Sequence, residues 1–158
     1  MEEIHKELTL TRVFDAPRET VWKYWTDKSL LEQWWGPSGV TAPVVEMDVK
    51  PGGKIYIVMK AGPDLGQFAG QEWPMSGTYQ TVEEPQKIVY TSEALLNDKP
   101  FLETLTTVTL EEENGKTTMT VHIVVTKAVS QAATGALAGM EMGWNQQLDK
   151  LVAMVAKK

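Results

Sequence analysis

The chain of 158 residues contains no cysteine and only two histidines. Without cysteine there are no disulfides, no thiolate nucleophile and no cysteine-ligated metal, and nothing calls for an oxidising compartment. The scarcity of histidine narrows the choice of catalytic bases for nucleophilic chemistry to His5 and His122. His122 sits between Val121 and Ile123, so strand alternation turns it away from Met119, Val121, Ile123 and Val125, the face taken as inward. Neither histidine falls in a metal-binding pattern, and no acidic calcium-loop spacing occurs, so no metal or other cofactor is expected. No apolar run approaches the roughly 20 residues that span a bilayer. The opening Met1-Glu2-Glu3-Ile4-His5-Lys6 is polar and acidic, unlike a secretory signal. A soluble, cytoplasmic protein without membrane insertion is the expectation. Fifteen basic against twenty-one acidic residues give a net charge of −6, which argues against nucleic acid as a partner.

What the chain does have is strand alternation, turn residues and tryptophan. Leu8 to Phe14 reads as a strand, and Asp15-Ala16-Pro17 ends it and opens a helix carrying Val21, Trp22 and Trp25. A second short helix follows Asp27, pairing Leu30 with Trp34 and Leu31 with Trp35 at i,i+4, and Gly36-Pro37 stops it. Val44 to Val49 then alternates, with Val45, Met47 and Val49 on one face and Glu46 and Asp48 on the other, so the two acids are expected in solvent. Pro51-Gly52-Gly53 turns the chain into Ile55, Ile57 and Met59. The stretch from Ala61 to Gln71 has weak periodicity and is expected to be a mobile loop. Strands are predicted at Trp73–Val82, Ile88–Ser92, Leu102–Leu110 and Thr117–Thr126, with a polar linker around Asn97 to Pro100 and an Asn114-Gly115 hairpin turn. From Ser130 a long amphipathic helix carries Leu137, Met140, Trp144, Leu148, Leu151 and Val155 on one side. Gly135, Gly139 and Gly143 repeat along it, which fits either close helix–sheet approach or room for a guest beside Trp144.

Two adjacent tryptophans at a helix end need cover, either from the protein or from a ligand. Trp34-Trp35-Gly36-Pro37, with Asp15-Ala16-Pro17 before it, Asp48-Val49-Lys50-Pro51-Gly52-Gly53 after it and Gly139-Met140-Glu141-Met142-Gly143-Trp144 near the end, resembles the stand-alone proteins akin to the activator of heat-shock protein 90 ATPase. The resemblance runs from about Leu8 to Leu151. It implies an α+β helix-grip fold of the lipid-transfer-like ligand-binding superfamily. One domain over residues 1–158 would wrap a curved antiparallel sheet of six or seven strands around the C-terminal helix, with two short helices after the first strand.

Such a fold places a cavity between sheet and helix. Trp34, Trp35, Trp73 and Trp144 offer flat surfaces for it; Met47, Met59, Met75 and Met140 offer adaptable thioethers. Ile57 adds an aliphatic wall, and Tyr79 and Tyr90 add polar handles. These eleven form the candidate ligand-binding set, and the same residues would also suit a filled core. The expected partner is a small hydrophobic or aromatic molecule, in a cavity of about 300 to 1,000 Å³. The family label supplies a second reading, a co-chaperone stimulating the heat-shock protein 90 ATPase, although the known activators add a domain for which this chain has no residues. A third is a cyclase- or hydrolase-like enzyme on a polyketide-type substrate, for which no acid–base pair stands out and no catalytic residue is named. The sequence leaves a homodimer open.

Overall fold

The computed structural model describes residues 7–36, 39–96, 99–128 and 130–156. The elements follow in the order β1 (Glu7–Phe14), α1 (Arg18–Thr26), α2 (Lys28–Trp34), β2 (Val40–Met47), β3 (Lys54–Ala61), β4 (Glu72–Glu83), β5 (Lys87–Leu96), β6 (Lys99–Glu113), β7 (Lys116–Ala128) and α3 (Ser130–Ala156). All seven strands join one antiparallel sheet in the order β1-β7-β6-β5-β4-β3-β2. From β2 to β7 this is a meander of successive neighbours, which short turns produce at little entropic cost. The first strand closes the far side against β7. The sheet curls, and α1, α2 and α3 cover its concave face, an α+β helix-grip arrangement with two short helices after the first strand.

Alternation sets which residues go inward. On β7, Thr117, Met119, Val121, Ile123 and Val125 are buried while the residues between them are not. The register then stacks Leu110 beside Met119, Val108 beside Val121 and Thr106 beside Ile123. Phe14, Trp34, Leu148 and Leu151 complete the center of this core. Asp27 caps α2, its carboxylate accepting from the Ser29 N–H at 2.9 Å and the Ser29 hydroxyl at 2.7 Å, which holds that carboxyl below its ordinary pKa. The last helix is pinned at three points. Arg12 donates to Asn145 at 2.7 Å and pairs with Asp149 at 3.2 Å, the Gly36 N–H donates to the buried Gln147 Oε1 at 2.8 Å, and Lys150 donates to the Val40 carbonyl at 3.2 Å.

Several elements depart from the sequence reading. The stretch after Ala61 is not an open loop, because Pro63–Phe68 forms a short 3-10 helix. Strand β2 starts at Val40 rather than Val44; Pro43 is accommodated by a bulge between Thr41 and Val44 on an edge strand, where its missing N–H breaks no internal ladder. Lys99 and Pro100, read as linker, begin β6 and pair with Leu96 and Leu95. The calls on His5, Pro37, Asn97 and Asp98 lie outside the described residues, as do the side chain of Leu137 and the surroundings of Gly135 and Gly139.

Candidate functional site

The inner face of the sheet changes character along β5 and β6. Toward one end, Ile88 pairs with Val108 and both are buried and bulky; toward the other, Tyr90 pairs with Thr106, Ser92 with Thr104 and Ala94 with Leu102. Small side chains at inward positions cannot fill the space that bulky ones fill elsewhere. A hollow of about 240 Å³ lies there, between this part of the sheet and α3. Met140, Gly143, Trp144 and Gln147 meet it from the helix, at the three- and four-residue spacing of a single face. Met59 and Met75 close it from β3 and β4. A second void of about 20 Å³, room for about one water, lies deeper, among Met47, Ile57 and Tyr79. Trp35, Met75 and Tyr90 border both.

Trp35 is also the link between the packed core and the hollow. Its ring centroid lies 5.5 Å from Trp34 and 6.3 Å from Trp25 on one side, and 5.7 Å from Trp144 on the other, where the rings meet edge to face. Trp34, one residue earlier, has a different fate. It is 0% exposed, stands 4.8 Å from Trp25, and donates its indole N–H to the Tyr24 carbonyl at 2.9 Å. Trp34 therefore packs the core and lines neither void. Trp73 stands opposite Met59 on β4, partly buried, and is not among the residues lining either void. The other nine candidates each border one void or both.

The polar groups here are few. The Ser92 and Thr104 hydroxyls hydrogen-bond each other at 2.5 Å. Gln147 spends its carbonyl oxygen on Gly36, which leaves its amide N–H donors. Tyr79 and Tyr90 meet edge to face at 6.3 Å, and burial pushes both phenols well above the ordinary value of 10.0, with Asp48 adding to the effect on Tyr79. Both are neutral at physiological pH. None of the described residues lining the hollow is charged. Sequence reasoning missed Ser92, Ala94, Leu102, Thr104 and Gln147; the signal available was the small residues at alternate inward positions, Ser92 and Ala94 on β5 and Thr104 and Thr106 on β6.

The acids and the histidine considered for chemistry lie elsewhere. Glu46 and Asp48 are exposed, with Asp48 Oδ2 at 3.5 Å from Lys50 Nζ. His122 pairs with Glu7 across the outer face of β1 and β7. Among the described residues no three histidines or carboxylates converge as a metal site would require, and no helix is long and apolar enough to cross a membrane.

The helix-gripping sheet has counterparts among known proteins. The model of the family described as Activator of Hsp90 ATPase homolog 1-like protein matches residues 15–156. The chain belongs to this family. A crystal structure of a Mycobacterium smegmatis protein is 27% identical, the match covering 98% of this chain and 95% of that one with a TM-score of 0.75. The solution structure of an Arthrobacter aurescens protein is 26% identical over 96% of this chain and 87% of that one, with a TM-score of 0.79. The AHSA1 protein of Silicibacter pomeroyi is 25% identical over 96% of this chain and 98% of that one, with a TM-score of 0.75. No curated protein matches. These AHSA1-like relatives share the helix-grip fold over nearly their whole length.

Proposed function

We propose that this AHSA1-like protein binds a small hydrophobic or aromatic molecule in the hollow between β5, β6 and α3. The observation that carries the proposal is a space of about 240 Å³ walled by Trp35, Trp144 and three methionines, with no charged residue among those described around it. An apolar cavity of roughly 150 Å³ already admits benzene, so this one suits a guest of one or two rings, at the small end of ligand pockets. Methionine side chains re-pack at low cost, which lets the wall follow the guest's shape. Binding rather than catalysis is the reading, and a cytoplasmic location belongs to the same proposal, supported by a sequence without cysteine.

A thermal-shift panel of one- and two-ring apolar compounds tests it. A ligand at about 100 times its Kd stabilises a folded state by about 2.7 kcal/mol, a Tm increase of roughly 5–10 °C for a chain of this size. No shift with any compound, together with no small molecule retained in native mass spectrometry of freshly purified protein, would defeat the proposal. The family's name also points to the Hsp90 ATPase; that second reading rests on the name alone, and an ATPase assay with purified Hsp90 decides it.

A further inference from the structure

One side chain bordering the hollow is not served by the protein's own packing. Tyr90 is 4% exposed, and its hydroxyl is buried with no hydrogen-bond partner among the described residues. The Thr106 hydroxyl across the strand pair is near enough to favor the phenolate, against the larger effect of burial, yet it falls outside hydrogen-bond geometry. Buried hydroxyls in native proteins are nearly always paired, so an unpaired one needs a reason. Its neighbors around the hollow are already committed: Ser92 and Thr104 to each other, and the Gln147 carbonyl to Gly36. Tyr90 and the flexible Met75 both border the two voids, and the phenol oxygen itself is screened from the larger one, so a guest there would reach it as Met75 moves aside. A phenol kept protonated by burial offers its O–H as a donor.

Resting on the binding proposal above, we propose that Tyr90 is the recognition residue of the hollow, donating its hydroxyl proton to a neutral acceptor oxygen, such as a ketone, on an otherwise apolar ring compound. The acceptor is neutral because no charged side chain among the described lining residues would compensate a carboxylate stripped of water.

The test compares α-tetralone, its hydrocarbon analogue tetralin and tetralin-carboxylate, each titrated calorimetrically into the wild-type protein and into Tyr90→Phe. The ketone-to-hydrocarbon affinity ratio falls about ten-fold in the variant, the size of one buried hydrogen bond. Tetralin binding to Tyr90→Phe reports that the variant is folded, and the ratio removes any effect of the substitution on apolar contact. The ketone's carbonyl stretch moves to lower frequency on binding wild type and does not move on binding Tyr90→Phe, a signature that a merely structural tyrosine would not give. An unchanged affinity ratio, or a carboxylate that binds as tightly as the ketone, overturns the inference while leaving apolar binding intact. Failure of all three compounds to bind the wild-type protein overturns the binding proposal and this inference with it.

Discussion

Replacing Trp34 and Trp144 separately with alanine distinguishes an indole that fills the core from one that borders a space. Trp34 has no exposed surface, an edge contact with Trp25 at 4.8 Å and a hydrogen bond to the Tyr24 carbonyl at 2.9 Å. Truncating a wholly buried tryptophan costs about 3–5 kcal/mol. Orphaning the Tyr24 carbonyl adds about 1 kcal/mol or more, so the loss belongs at the upper end, near 5 kcal/mol. Trp144 is only partly buried and touches Trp35 at 5.7 Å, while another side of it borders the hollow. A ring with empty space beside it has fewer contacts to lose, and its removal should cost about 1–2 kcal/mol. Urea unfolding followed by far-UV circular dichroism measures both losses, provided the slope m stays constant. Because domains of this kind are stable by only about 5–15 kcal/mol, Trp34→Phe, which keeps a ring and loses the N–H donor, serves if Trp34→Ala is too unstable. Equal losses, or a larger one for Trp144→Ala, would refute the distinction, since Trp144 would then be an ordinary core residue and the hollow would have no free wall.

Gly52 and Gly53 share one turn and should respond very differently to alanine. A Cβ on Gly53 would stand 1.8 Å from the Asp48 carbonyl oxygen, a backbone clash expected to cost roughly 3 kcal/mol or more. Gly52 has φ +86° and open space around it, so its replacement carries only the left-handed penalty of about 1–2 kcal/mol; thermal unfolding of the two variants separates them, and similar melting temperatures would contradict the turn geometry. At high pH the buried phenols of Tyr79 and Tyr90 should drive unfolding. Their folded pKa values lie above the unfolded value of 10.0, so their contribution is intact below about pH 10 and is lost as the pH rises beyond it, at about 1.4 kcal/mol per pH unit for each phenol. Urea midpoints that hold steady above pH 10, with every tyrosine ionising in the folded protein, would show these phenols to be solvated.

Much of this architecture was legible because burial leaves a period in the sequence. Met119, Val121, Ile123 and Val125 gave the inward face of β7, and Asn114-Gly115 gave its hairpin, with both residues at positive φ as that turn demands. Proline misled where its position in the sheet mattered more than its local effect. Pro100 suggested a linker where β6 begins, and the alternation read from Val44 onward missed the start of a bulged edge strand that contains Pro43. The site was half legible for a similar reason. Large aromatic and thioether side chains announce themselves, but a hollow is made by what is small, and Ser92, Ala94 and Thr104 look ordinary on any strand. Adjacent Trp34 and Trp35 could not be told apart by composition or spacing. Their roles separate only in three dimensions, where one indole meets Tyr24 and the other reaches Trp144.

Amide chemical-shift mapping of the protein titrated with tetralin tests the central claim most directly. Saturable shifts should concentrate at Ser92, Ala94, Thr104, Gly143 and Gln147, which face the hollow from both sides. Shifts confined to the outer face around Val44 and Tyr56, or none at all at saturating compound, would contradict it.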